Sequence, residues 1–532
     1  MRQLMRQHTV ALVGALIAMS LAGPLAALER DEARHLLMRT GYRPTPAEID
    51  VLVPLTREQA VDQLLASTRT VARTDAPAWA KDSIPQWNAK RDQEEAEVKK
   101  LSTEKERMDK GNYFRGLREE KGRELKDWWM TEMITTDSPL TERMTMFWSN
   151  HFTSSLRTIE DPRLMFEQNI TLRRGALDNF AFLMRDINTD PAMFYYLDSN
   201  SNVAGRPNEN YAREVMELFT LGEGKYSEQD IKEAARAFTG YKIDNATGRA
   251  VRQQGVHDAG WKSIMGHKGT FNGDDVVIVL LKSEERVALY ITEKVWKEFV
   301  SDEVDEKAIY KLAGTFYKAK YDIKKLLKAT FLTDKFWDTS VRGTLFKSPT
   351  ELLVGAARAL QLPYDSPRGY VQLAAKLGQD LFDPPNVKGW KGSTAWISSE
   401  SLLSRWEVIE DFTRGKVASG KAMDGGMMGG GAMAPKAPDA KAPDAKADAK
   451  PDAKAKPAGK KEKEEKVALP TDPISFPLVP KPWIADARGK GAEGIAMATA
   501  TLLPTAPLDT IPTGNFDQAL RAILHDPTFH LK

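Results

Sequence analysis

Seven histidines and no cysteine limit the chemistry open to this chain. Thiolate nucleophiles, disulfides, iron–sulfur clusters and cysteine-based zinc sites are excluded, so any metal would need His, Asp and Glu. The densest polar cluster is Asn208-Glu209-Asn210 followed by Arg213, Glu214 and Glu217. On an α-helix Asn210, Glu214 and Glu217 fall at i, i+4 and i+7, on one face. Carboxylates on one face can ligate a metal or divide acid and base work. A helix start also offers unpaired N–H groups and a positive dipole end, which makes Asn208, Glu209, Asn210 and Arg213 the candidate cofactor-binding residues. The competing reading is structural: Glu209 and Arg213 form an exposed ion pair, and Glu214 holds a neighbouring arginine such as Arg236.

His151 stands between Trp148 and Phe152 at the end of an apolar stretch, where a histidine is more often a satisfied core residue than a ligand. His257-Asp258 lies in a glycine-flanked loop, the usual setting for functional residues, with Lys262 four positions on. His267 is a weaker candidate. His35, His525 and His530 read as ordinary helix residues. Trp390, after the rigid Pro384-Pro385-Asn386-Val387-Lys388-Gly389 turn, and Trp396 could stack on a sugar, although packing is the commoner role for tryptophan. No His-Glu-x-x-His, Gly-x-Ser-x-Gly, phosphate-binding loop or dinucleotide fingerprint occurs.

Positioning such residues takes a large body. The chain has 532 residues, 42% of them hydrophobic, enough for a sizeable core. Lys+Arg is 76 and Asp+Glu 74; without Arg2 and Arg6 the balance is 74 against 74. A neutral chain is a poor candidate for nucleic acid, which demands surplus cation. Arg2 and Arg6 precede an apolar run, Val10–Leu21, and small residues at Ser20 and Ala22. Residues 1–22 therefore read as a signal peptide, which implies a periplasmic or secreted protein. No later apolar run is long enough for a membrane span.

Helical spacing then dominates. Residues 29–67 read as helices, with Thr45, Pro46 and Glu48 as a capping box. Residues 88–133, rich in Glu, Lys and Arg, predict a solvated, projecting helix of coiled-coil composition. Leu140, Met144, Phe147 and Trp148 share one helical face. A helix is expected over 163–184, another from Pro191, and two over 207–241, the second capped by Ser227 with Asp230. Residues 248–273 predict a loop or small hairpin turning at Asp258-Ala259-Gly260. The segment from Asp275 to Lys282, strand-prone in composition, is assigned to a helix because it runs into a helical pattern. The expectation is all-α: a main helical domain at 29–415 with at most one small β-hairpin, a disordered low-complexity insert at 416–467, and a helical return at 468–532. Met423, Met427, Met428 and Met433 in the insert are read as flexible filler rather than a copper site.

Ordered blocks along the chain carry a family resemblance. They are HLLMRTGY at 35–42, MFWSNHFTS at 146–154, DPAMFYYLD at 190–198 and PNENYAREVMELFTLGEGKYSEQDIKEAARAFTGY at 207–241. HDAGWKSIMG at 257–266, KSPTELLVGAARAL at 347–360 and GQDLFDPPNVKGW at 378–390 follow. In these the chain resembles the bacterial family called domain of unknown function 1800. The resemblance implies export, and a partner of the exported family called domain of unknown function 1501. It implies no established activity, cofactor or metal. Relatives usually carry His where this chain has Ser149. Two functions follow as expectations: a non-catalytic interaction or assembly protein working with a neighbouring exported enzyme, or a metal-dependent hydrolase of extracellular or envelope material. The second needs His151, Glu214, Glu217, His257 and Asp258 near one another.

Overall fold

In the computed structural model, residues 26–283, 286–360, 367–413 and 482–532 are described. The leader and the low-complexity insert lie outside them. The fold is all-α, with two small antiparallel ribbons instead of a single hairpin. Among the described residues no helix is long and apolar enough to cross a membrane.

The first helices follow their caps. α1 (Arg30–Thr40), α2 (Pro46–Leu52) and α3 (Arg57–Ala66) open the chain. At α2 the Glu48 N–H donates to Thr45 Oγ1 at 3.3 Å, and the Thr45 N–H donates to Glu48 Oε2 at 2.7 Å. Two orphan donors are thereby satisfied. The charged stretch forms two helices that pack on each other, α4 (Ile84–Lys99) and α5 (Glu104–Thr135), joined by ion pairs such as Arg118–Glu94 at 3.0 Å. It projects less than its composition predicts. The second half of α5 buries Leu125, Trp128, Trp129, Met130 and Met133.

Two apolar cores follow, and α6 (Pro139–His151) and α7 (Pro162–Gly175) stand between them. On α6, Leu140, Met144 and Trp148 face the first core. On the opposite side Glu142 takes two hydrogen bonds from Arg173 of α7, at 2.7 and 2.9 Å, and one from the Trp129 indole at 2.9 Å. Both charged side chains are 1% exposed, so this pair is desolvated but fully hydrogen-bonded.

The helix expected over 163–184 is broken. α7 ends at Gly175, and α8 (Phe180–Asn188) starts after Asn179, whose Oδ1 accepts from the N–H groups of Ala181 and Phe182. The break turns Phe180 into the core, and the cap replaces the helical bonds lost. α9 (Pro191–Tyr196) and α10 (Asn210–Glu214) follow; α10 runs straight into a π-helical turn, Val215–Thr220, before α11 (Glu228–Ala237). Ser227 and Asp230 cap α11 reciprocally.

β1 (Tyr241–Ile243) pairs with β2 (Ala250–Arg252), and β3 (Lys262–Ile264) with β4 (His267–Gly269). The second ribbon turns at Met265-Gly266, both with positive φ (50° and 79°), the geometry a two-residue hairpin loop requires. Asp258-Ala259-Gly260, expected to be the turn, is instead a loop leading into β3. α12 (Gly273–Lys282) confirms the helical reading of the strand-prone segment. Asn272 caps it, and Asp275 returns the bond. α13 (Arg286–Phe299) packs against the π turn, and α14 (Glu306–Lys318) and α15 (Ile323–Phe331) close the first core. The second core is built from α5, α7, α16 (Pro349–Leu360), α17 (Arg368–Lys376), α18 (Ser399–Thr413) and the C-terminal helices α19 (Pro482–Gly489), α20 (Ala492–Leu502) and α21 (Phe516–His525).

Candidate functional site

α6 ends on two polar residues that face different ways. His151 is 4% exposed. Its Nε2 donates to the Phe219 carbonyl at 3.1 Å, which leaves Nδ1 to accept from Lys294 Nζ at 3.0 Å. Burial, and then the Lys294 charge, hold the imidazole well below its usual pKa, so it is neutral. Burial likewise lowers Lys294 to about 8. The ammonium lies over the Tyr290 ring, 4.7 Å from its centroid.

The Phe219 carbonyl is available because of the π turn. There the Leu221 N–H reaches back to Met216 O at 2.9 Å, and the Thr220 hydroxyl to Val215 O at 2.6 Å. The wider i→i+5 winding leaves the Leu218 and Phe219 carbonyls to Tyr290 and His151. It also alters the face predicted for an α-helix, since Glu214 ends the α-helical part and Glu217 stands in the π turn. Glu217 accepts from the Tyr226 hydroxyl at 2.7 Å, and Lys388 Nζ stands 3.7 Å away. Glu214 is half-buried. Burial, then Glu217, raise its pKa.

Asn150 faces the other way. Its Oδ1 accepts from the Trp390 N–H at 2.7 Å, and its Nδ2 donates to the Trp390 carbonyl at 3.1 Å. Gly389 lets this approach happen. Its φ is +77°, and a Cβ there would overlap the Asn150 side chain and carbonyl. The blocks at 146–154, 207–241 and 378–390 therefore meet here: His151 on the π turn, Asn150 on the Trp390 loop, and Lys388 of that loop on Glu217 and on Glu223, the latter at 2.6 Å.

The helix start is used up by structure. Asn208 donates to Asp198 O and Ser201 Oγ and accepts from the Asn210 N–H. Arg213 pairs with Glu209 at 3.2 Å, as the structural reading expects, and also with Glu228 at 2.9 Å. Asn210 is exposed. Arg236 does not pair with Glu214; it takes Asp258 instead, at 2.8 and 3.2 Å, together with Glu233. Asp258 caps its own loop by accepting from the Gly260 N–H. His257 Nδ1 lies 2.9 Å from Thr239 O, and burial lowers its pKa. Lys262, 2% exposed, donates to the Asp258 and Gly260 carbonyls.

The five candidate catalytic residues thus fall into two groups. His151, Glu214 and Glu217 gather at the π turn. His257 and Asp258 are tied to α11 and β3. No hydrogen bond or ion pair joins the groups among the described residues, and none of those residues forms a set of three His, Asp or Glu able to hold a metal ion. Arg236 anchors the second group: its guanidinium fork matches the Asp258 carboxylate and holds that loop on α11.

A family model described as Protein of unknown function (DUF1800) matches residues 35–530. The chain belongs to the DUF1800 family. No curated protein and no solved structure matches it.

One feature of this DUF1800 protein lies apart from the five candidate catalytic residues. A cleft of about 90 Å³ opens beside Asn150, between Trp390, Trp396, Phe147 and Tyr42. Its floor is charged. Arg143 of α6 pairs with Glu298 of α13 and Glu351 of α16, and Lys532 reaches both carboxylates. Behind the floor, Arg43 and Lys347 donate to the Phe529 carbonyl at 2.8 and 2.9 Å and hold the C-terminal segment in place. The sequence signals for this site are Trp390 and Trp396, which could stack on a sugar or simply pack, and the blocks at 347–360 and 378–390 that contain Glu351 and Trp390. Their meeting with Arg143 and Lys532 is tertiary.

Proposed function

We propose that this DUF1800 protein is an exported, non-catalytic binding and assembly protein that works with a neighbouring exported enzyme. The carrying observation is the state of His151. It is buried and neutral, and both ring nitrogens are engaged by structural partners. Such an imidazole has no free nitrogen to exchange a proton with a substrate. Glu217 and Asp258 are held in the same manner by Tyr226 and Arg236. A metal-dependent hydrolase would need a set of His, Asp and Glu ligands, and among the described residues no three of them are grouped to hold an ion. The resemblance to exported relatives and the leader at residues 1–22 support export. A member of the domain of unknown function 1501 family is the partner that the resemblance implies.

Stability measurements on Glu217→Gln and His257→Ala test the non-catalytic reading. His257→Ala leaves the buried Thr239 carbonyl unpaired and should lower the unfolding free energy by about 1–3 kcal/mol, whereas the Glu217→Gln side chain can still accept from the Tyr226 hydroxyl and should cost less than about 1 kcal/mol. Variants that fold as stably as the parent, yet abolish the protein's contribution in its host, would establish a catalytic site instead.

A further inference from the structure

We propose that the cleft between Trp390 and Trp396 and above the Arg143–Glu298–Glu351 cluster is a saccharide site that takes one neutral sugar ring. This binding goes beyond the assembly role and does not depend on it, so failure of either leaves the other standing.

Size is the first argument. A cleft of about 90 Å³ has room for roughly six to nine waters. A single sugar ring, which displaces several such waters, can enter it. Charge is the second. Arg143, Lys297 and Lys532 line the cleft against Glu298, Asp302 and Glu351, so its formal charges cancel. A phosphate or carboxylate ligand would call for surplus cation, and a metal ion for free carboxylates. Here the carboxylates Glu298 and Glu351 already have Arg143 and Lys532 as partners. A neutral ligand rich in hydroxyl groups fits. It can donate to the remaining carboxylate lone pairs and accept from the cations without displacing either.

The walls supply the rest. Sugar rings present apolar C–H faces, and aromatic side chains are the surfaces that cover such faces while offering a polar edge. Trp390 is 6% exposed and is fixed by the double hydrogen bond from Asn150 to its backbone. The clamp fixes the backbone and burial restricts the ring, so little freedom is left to lose on binding. Trp396, half-buried, stands on the far side of the mouth. Polar groups in the lining also lack partners. Thr350 is 2% exposed and its hydroxyl has no hydrogen bond; Arg143 Nε is likewise buried and unpaired. Both atoms lie just beneath the cleft surface, so they mark its wall as polar.

The test is titration of the mature full-length protein, by calorimetry and ligand-observed NMR, with glucose, galactose, mannose, rhamnose, N-acetylglucosamine and N-acetylgalactosamine, and with β-linked tetramers of glucose and N-acetylglucosamine. Sodium phosphate and acetate serve as the anionic probes. At least one neutral sugar should bind with Kd of about 1 mM or tighter. Trp396→Ala should weaken it at least tenfold with an unchanged melting temperature, because that side chain is at the mouth. Trp390→Ala should weaken it at least as much, and a folding loss in that variant would leave the Trp396→Ala result decisive. Silence across all the neutral sugars would overturn the proposal. So would equal binding by Trp396→Ala, or binding of the anionic probes alone.

Discussion

Replacing Lys294 with methionine should stabilise the folded protein at neutral pH and lose that advantage in alkali. Burial lowers this ammonium from 10.5 to about 8, and Glu293 offsets the effect only in part. A shift of that size corresponds to about 3 kcal/mol, an upper bound on the cost of keeping the charge inside. The sign follows from proton counting. Below pH 8 both folded and unfolded chains carry the proton, and the folded state bears the full cost. Between pH 8 and about 10.5 the unfolded lysine holds a proton that the folded one has released, so stability climbs with pH across that window. Methionine is unbranched, only one atom shorter, and carries no charge. It gives up the 3.0 Å bond to His151 and the contact over Tyr290, together worth about 1–2 kcal/mol. The balance favours the variant by about 1–2 kcal/mol at pH 7 and the parent by about 1 kcal/mol above pH 10.5, where the neutral amine keeps the bond to His151 but has no cation–π contact, with a crossing between about pH 9 and 10. Urea unfolding of both proteins at pH values from 6 to 10.5, followed by circular dichroism, gives the difference directly. Other lysines and the tyrosines titrate in both chains and cancel in it. A difference that stays flat across pH 7–10.5 would refute the reasoning, because the ammonium would then bear no burial cost.

His530 offers a second pH test. It is 1% exposed, neither ring nitrogen has a partner, and burial lowers its pKa to about 3. The unfolded histidine binds a proton below about 6.5 that the folded one refuses, so stability is lost as pH falls from there towards 3. His530→Leu should raise the unfolding free energy by about 1–3 kcal/mol at pH 7, and by a further ~2–3 kcal/mol at pH 4.5; urea titrations at the two pH values check both figures. Gly389→Ala should cost about 2–4 kcal/mol, from the positive φ and the broken Asn150 clamp. Asn150→Ala should cost less, and unfolding of the double variant should show less than the sum, since both changes break the same clamp.

Much of the helical frame was legible because its signals are local. Thr45 with Glu48 and Ser227 with Asp230 announce helix starts whatever the rest of the chain does. The Leu140–Met144–Trp148 stripe reports a buried face at the right period. The assignment of 275–282 to a helix is explained by Asn272: its cap to Asp274 and Asp275 overrides the β-branched run that follows. The break before Phe180 was also written locally, in Asn179, but continuous helical periodicity across 163–184 obscured it. What escaped had no local code. Nothing in VMELFT distinguishes a π turn from an α turn; the extra residue is accommodated because His151 and Tyr290, from elsewhere in the chain, take up the carbonyls it frees.

The candidate site divides along the same line. Spacing placed Glu214 and Glu217 near each other, and the Glu217 charge does act on Glu214. It could not foresee that Arg236 would choose Asp258, since i, i+4 arithmetic says nothing about partners on another element. One choice of partner thus ties Asp258 to α11 and leaves Glu214 without the arginine that spacing offered it. The cleft beside Trp390 is the larger case. Arg143, Glu298, Glu351 and Lys532 share no period and no motif, and only the packing of α6, α13, α16 and the C-terminal segment makes them neighbours. Each is held by an opposite charge on a different element, so the charge balance that favours a neutral ligand arises from the packing itself. The aromatic half of the site depends on a single local device, the glycine at 389 that brings Trp390 onto Asn150. Asn150 and His151 are adjacent in sequence, yet one orients the wall of the cleft and the other closes the π turn. The end of α6 is where a perturbation of either region would be felt by the other.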